Sequence, residues 1–202
     1  MTEQLIRGHD RFRRSVFPDM AERFRRLVSD GQRPRTLFIG CSDSRVIPSL
    51  LTDADPGDLF VVRNVGALVP PYETDQAHHG VSSAIEYAVL ILGVRDIVVC
   101  GHSHCGAIRA LYEPPDSAPH VRRWVRLAEA AMLEGPLNEA MLRRTEQRSV
   151  VVQLKRLMDF PFVRDAVDAD RLALHGWHYI VEEGALEVLD VDSARFVPQA
   201  GR

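Results

Sequence analysis

The residues in this sequence best suited to chemistry are cysteines, histidines and one acid–base pair. Cys41 opens the run Cys41-Ser42-Asp43-Ser44-Arg45, and further along comes Gly101-His102-Ser103-His104-Cys105-Gly106. Two thiolates and an imidazole form a ligand set that zinc favours. Three protein ligands leave a fourth tetrahedral position for water, as catalytic sites do, whereas a structural zinc normally takes four. His102 and Cys105 stand three apart, so one turn at the start of a helix brings both to one ion, and a helix amino end favours the Cys105 thiolate. Gly101 and Gly106 leave room for close backbone approach. The pair alone says little: with 8 His and 3 Cys in 202 residues, a chance match has a probability of roughly one in eight. Asp43 and Arg45 add weight, because a carboxylate and a guanidinium just beyond a ligand form a charge-assisted pair that an ordinary turn does not need. Cys100 ends an apolar run and reads as a buried, inert thiol.

Strands and helices must bring these loops together. Thr36-Leu37-Phe38-Ile39-Gly40 is short, apolar and closed by glycine, as expected of a strand buried on both faces of a parallel sheet, and Leu59 to Val62 and Ile97 to Cys100 look the same. Between the last two, Val81, Ala84, Ile85, Ala88, Val89 and Leu92 recur at helical spacing, with Gly93 placed to end the helix. The first thirty residues suit two amphipathic helices separated near Pro18, and the stretch from Pro119 to Met158 is expected to be mostly helical, with its arginines on a solvated face. Leu172 to Val181 and Ala185 to Val191 flank Glu182-Glu183-Gly184 and read as a hairpin closing the sheet edge. The expected class is therefore α/β: a mostly parallel central sheet flanked by helices, with an amino-terminal helical arm and a carboxy-terminal hairpin. Sites in such folds gather at strand carboxyl ends, which is where Cys41 and His102 fall.

Length and charge narrow the class. A chain of 202 residues fits one domain, read as an arm over 1–30, a metal-site core over 32–110, a helical region over 114–170 and the hairpin over 172–192. A net charge of −3 gives no general attraction for nucleic acid or an anionic membrane. No stretch has the roughly 20 apolar residues of a membrane span, and Met1 to Asp10 lacks the apolar core of a secretion signal, so a cytoplasmic location is expected. Three cysteines make no disulfide framework.

The two runs together resemble the paired signature of β-carbonic anhydrases. Phe60-Val61-Val62-Arg63-Asn64-Val65, Ala84 to Val89 and His175-Gly176-Trp177-x-Tyr179 are similar to the same family. The likeness is strong over 32–110 and only general in the amino-terminal helices and over 114–170. It implies a zinc enzyme that hydrates carbon dioxide to bicarbonate with a metal-bound hydroxide. Cys41, His102 and Cys105 take the ligand positions, while His104 occupies a variable one. Asp43 and Arg45 take the positions of the dyad beside the metal. Gln32 matches a glutamine that hydrogen-bonds substrate or bicarbonate, Phe60, Val65 and Tyr87 match an apolar carbon dioxide pocket of the plant-like branch, and Gly106 matches the glycine after the second cysteine. Part of that pocket is expected from a partner subunit, in a homodimer or larger homo-oligomer. Two thiolates neutralise the formal charge of Zn(II), so activity is expected to rise toward alkaline pH.

Competing readings are a carbonyl sulfide or carbon disulfide hydrolase on the same scaffold and a non-catalytic, zinc-stabilised interaction protein. Asp43, Arg45 and Gln32 argue against the second, since a structural metal needs none of them. In one branch of the family a Trp, an Arg and a Tyr bind an inhibitory bicarbonate. Arg63 and Tyr179 match, but Phe38 stands at the tryptophan position and lacks its N–H, a donor worth roughly 1.5–3 kcal/mol to a charged ligand. The expectation is an open site, with Asp43 paired to Arg45 and no bicarbonate between Arg63 and Tyr179.

Overall fold

The computed structural model describes residues 1–75 and 77–199. Its centre is a six-stranded sheet in the order β2-β1-β3-β4-β5-β6. Strands β1 (Thr36–Cys41), β2 (Leu59–Asn64), β3 (Asp96–His102) and β4 (Ala173–Ile180) run parallel, while β5 (Ala185–Asp190) and β6 (Arg195–Pro198) continue the sheet antiparallel. β1 is buried along almost its whole length, as its unbroken apolar run requires. β2 differs from the expectation of a strand buried on both faces: it is an edge strand, and Val61 and Arg63 are exposed. The carboxy-terminal hairpin is present as β4 and β5, but β6 lies outside it and takes the edge. The short run Arg195–Pro198 was too brief for its alternation to announce a strand.

The register sets the site. Gly40 lies opposite Cys100, so the chain leaves β1 at Cys41 and β3 at His102 side by side, at the carboxyl ends of the two central strands. Alternation along β1 sends Leu37 and Ile39 into the main core with Ile97, Val99 and Leu157, and Phe38 to the other face with Val98 and Cys100.

Helix α3 (Pro48–Thr52) lies between β1 and β2, helices α4 (Gly80–Glu86) and α8 (Pro161–Asp168) flank the sheet, and α5 (Gly106–Tyr112) follows the metal loop. The region from Pro119 to Met158 is interrupted: α6 (Pro119–Val125) tightens into a 3₁₀ stretch over Arg126–Ala131, and a break containing Gly135 and Pro136 precedes α7 (Glu139–Leu157). α7 packs on β3 and β4. In the arm, α1 (Thr2–Arg11) and α2 (Phe17–Ser29) are joined by a wide π turn over Phe12–Val16 rather than by a clean break, and Pro18 sits harmlessly in the first turn of α2. None of the three segments has a buried residue.

Candidate metal centre

Cys41, His102 and Cys105 meet at the ends of β1 and β3, all three buried, with their donor atoms within 4.8 Å of one another. Each is fixed by its surroundings. Cys41 Sγ accepts the backbone N–H groups of Asp43 and Gly66, both at 3.4 Å. His102 Nδ1 lies 2.9 Å from the Ser103 carbonyl, an acceptor only, so the ring proton belongs on Nδ1 and Nε2 presents its lone pair. Among the described residues that buried Nε2 has no hydrogen-bond partner. Cys105 is the N-cap of α5. The two thiols influence each other: the Cys105 thiol beside it, the largest influence, lowers Cys41 to about 4 against the opposing effect of burial, and Cys105 is pushed up in return. Two converging sulfurs and an orphaned imidazole nitrogen fit a soft divalent cation such as zinc.

Asp43 and Arg45 stand against this cluster as a bidentate pair, Nε to Oδ1 at 2.9 Å and Nη2 to Oδ2 at 2.7 Å. The guanidinium holds the Asp43 carboxyl well below the usual carboxylate range, outweighing burial. Asp43 Oδ2 is 3.9 Å from His102 Nε2, so the carboxylate faces the donors while Arg45 restrains it. Arg45 also donates to the His104 carbonyl at 3.2 Å. Arg63 donates to the Cys41 carbonyl at 2.9 Å and the Asp43 carbonyl at 2.6 Å, clamping the same loop.

His104 turns away from the cluster. Its backbone is left-handed, with φ of 55°, and its Nε2 lies 3.3 Å from Glu182. Glu182 accepts the Ser103 hydroxyl at 2.6 Å, and that bond holds its carboxyl down to about 2. Cys100 is fully buried, which pushes its thiol up to about 12, an inert state. Of the glycines, Gly101 is sterically required: a Cβ there would lie 2.7 Å from Val150 Cγ2. Gly106 departs from the expectation of close approach, because a Cβ there meets nothing within 4 Å.

The residues matched to a substrate pocket are less assembled. Phe60 and Tyr87 stack with ring centroids 5.8 Å apart. Val65 and Tyr87 remain 42% and 44% exposed, and Gln32 is exposed before β1. Trp124 Nε1 donates to the Val65 carbonyl at 2.7 Å, tying α6 to this loop. Phe38 is buried edge-on against Trp177, with centroids 6.0 Å apart.

Sequence reasoning missed a buried side chain that touches the centre. Glu146, buried in α7, accepts the Cys105 backbone N–H at 2.9 Å and lies 3.3 Å from His178. A signal was present: α7 buries Thr145, Glu146, Ser149 and Gln153, a polar stripe at helical spacing that a plain core-facing helix would not carry.

The sequence profile of the carbonic anhydrase family matches residues 36–186. A carbonic anhydrase of Pseudomonas aeruginosa is 44% identical over 203 residues, covering 97% of this chain and 91% of that protein. Carbonic anhydrase 1 of Escherichia coli O157:H7 is 42% identical, covering 98% of this chain and 92% of that protein. Among solved structures, the β-carbonic anhydrase CcaA superposes with a TM-score of 0.89 at 38% identity, covering 98% of this chain and 99% of that one. One of two tetrameric β-carbonic anhydrases from the ascomycete Sordaria macrospora gives 0.72 at 28% identity, covering 98% of this chain and 95% of that one. With sequence and fold agreeing along nearly the whole length and the ligand cluster in place, this chain belongs to the β-carbonic anhydrase family.

Proposed function

We propose that this chain is a single-domain enzyme that interconverts carbon dioxide and bicarbonate, using one zinc ion per chain held by Cys41 Sγ, His102 Nε2 and Cys105 Sγ. The observation that carries this reading is the buried convergence of those donors within 4.8 Å, with an ion-paired aspartate against them. When bound, zinc makes water acidic enough to supply a nucleophile near neutral pH.

The protein's own groups then orient the reaction. Asp43, ionised and acceptor-only, takes a hydrogen bond from the attacking oxygen and so aims its lone pair at the substrate carbon. Arg45 keeps Asp43 charged, and its two bonds restrain the carboxylate from turning onto the metal. Arg63 fixes the backbone of the same loop through two carbonyls. Nε and Nη2 of Arg63 each donate to that loop, Asp43 is held by Arg45 and the Phe38 ring has no N–H, which together support the open form of the site, with bicarbonate not binding as a regulator between Arg63 and Tyr179.

Phe60, Val65 and Tyr87 supply the apolar wall for carbon dioxide, Gln32 a hydrogen bond for bicarbonate, and Gly106 the turn beside the metal. We assign completion of that wall to a second copy of the chain. Support comes from the exposure of Val61, Val65, Tyr87, Leu90 and Ile91 around an edge strand, and of Leu5 and Ile6 on an arm with no buried residue. The Sordaria macrospora relative is tetrameric. No helix among the described residues is long and apolar enough to cross a membrane, and free thiols at a metal centre suit the reducing cytoplasm.

Stopped-flow hydration of carbon dioxide, with zinc content measured on the same preparation, tests the proposal. Rapid hydration at about one zinc per chain is expected. Zinc-loaded protein with no hydration above background would overturn it.

A further inference from the structure

Behind the metal cluster lies a chain of three ionisable side chains that the mechanism above does not use. Glu146 Oε1 accepts the backbone N–H of Cys105 at 2.9 Å. Its other oxygen lies 3.3 Å from His178 Nε2, and His178 Nδ1 lies 3.1 Å from Glu187 Oε2. Gln147 donates to that same Glu187 oxygen at 2.9 Å. Glu146 is 2% exposed and His178 0%. Carboxylates at both ring nitrogens require a hydrogen on each link, so the chain is a set of directional bonds and not a loose charge cluster.

Burying a carboxylate and an imidazole in a core that apolar side chains could fill is unfavourable unless every group is paired. These are paired end to end, and the inner end stops at a metal ligand. Gly101, next to His102, faces the same groups: a Cβ there would meet the Glu146 carbonyl at 3.6 Å and His178 Cδ2 at 3.8 Å, ordinary contact distances.

We propose that Glu146 is a positioning residue for the metal ligand Cys105, held by His178 and, through it, by Glu187, so that α7 and the β4–β5 hairpin together set where the Cys105 sulfur sits. The inference rests on the metal-centre reading above. It concerns geometry, not net charge, and Glu146→Gln separates the two. Glutamine keeps an oxygen for the Cys105 N–H, and its amide can donate to His178 Nε2, which then accepts while Nδ1–H still donates to Glu187. Glu146→Met fills similar space and makes neither bond.

Zinc release from the loaded proteins to a chromophoric chelator, and the thiolate-to-metal absorption of their Co(II)-substituted forms, provide the test. Outer partners of metal ligands are typically worth 10–100-fold in metal affinity. Glu146→Met should release zinc about 10–100-fold faster and shift the Co(II) band, while Glu146→Gln stays within about threefold of the parent and keeps its band. Glu187→Ala, which leaves Glu146 and Cys105 in place, should speed release by a smaller factor, roughly threefold to tenfold, and provides the measurement if Glu146→Met does not fold. Unchanged release and spectrum in the folded Met variant, or in Glu187→Ala should the Met variant not fold, would overturn the inference, as would a Gln variant as fast as Met. In either case a parent protein that still binds zinc leaves the metal centre standing; a parent that takes up no zinc defeats both.

Discussion

The two ends of the parallel sheet carry nearly the same side chains in very different settings. At the carboxyl ends stand His102, Asp43 and Arg45; at the amino ends stand His175, Asp96 and Arg35, with His175 Nε2 to Asp96 at 2.9 Å and Arg35 Nε to Asp96 at 3.0 Å. His175 has a satisfied ring nitrogen and a side chain 39% exposed, whereas the His102 side chain is 1% exposed with an unfilled nitrogen among sulfurs. Residue types alone therefore do not make a site. What separates the two ends is desolvation together with a donor the protein leaves open, and the carboxyl ends acquire it because the loops after β1 and β3 diverge there while α7 seals them from behind.

Removing one histidine from each end of the sheet separates the two settings. His102→Ala should abolish zinc binding and lower hydration on the order of a thousandfold or more, since it removes one of the three donors to the ion that generates the nucleophile. His175→Ala should leave both within about twofold, as an exposed group outside the site. His104→Ala should also keep its zinc, because its ring faces Glu182. Metal analysis of the three purified variants decides; loss of zinc from the His104 or His175 variant would show that the open donor was misassigned.

Within the carboxyl end, Asp43→Asn separates holding the metal from using it. The amide cannot be acceptor-only, so zinc should remain while hydration falls roughly 100–1000-fold, the usual effect of removing one preorganised polar group. Near-normal turnover with full zinc would reduce the Asp43–Arg45 pair to an ordinary ion pair like the one at the amino end.

Gly101 and Gly106, on either side of the metal loop, differ in the space around them. Gly101→Ala forces a methyl to 2.7 Å from Val150, a stiff β-branched residue on packed α7, and should destabilise by about 1–3 kcal/mol. Gly106→Ala, in open space at the start of α5, should change stability by less than about 0.5 kcal/mol. Calorimetric melting of the two variants reads this directly. If the Gly106 variant melts normally yet loses activity, Gly106 serves the substrate and not the fold.

Most of this site was legible in the sequence, for a physical reason. Cys41 and His102 end apolar strand runs, and parallel strands of that kind place their carboxyl ends together, so two distant motifs could be joined without coordinates. Asp43 and Arg45 were legible because local spacing suffices for a pair two residues apart. Glu146, His178 and Glu187 were not, since their partners come from elements 9 to 41 residues apart and each residue alone looks like surface. The edge position of β2 and the added β6 were illegible for a related reason: strand order depends on which neighbours pair, and periodicity within one strand is silent on that.

At the amino end the ion pair of Asp96 contributes a small, pH-dependent stability. Burial, the largest influence on Asp96, pushes its carboxyl up, but the hydrogen bonds from His175 and Arg35 together outweigh it, and the carboxyl lies below its ordinary value of 3.8. A carboxyl lowered by folding stabilises the folded state while it is ionised. Its contribution is therefore fully present above pH 3.8 and disappears as pH falls through the lower folded value. Arg35 is largely exposed, so solvent screening keeps the contribution under about 1 kcal/mol. Urea unfolding of the parent and Asp96→Asn should show that small deficit at neutral pH, narrowing as the medium is acidified below 3.8, with zinc content and hydration unchanged at pH 7. A deficit that widens in acid would reverse the sign assigned to Asp96, and a loss of zinc in this variant would mean that the two ends of the sheet are coupled and not merely alike.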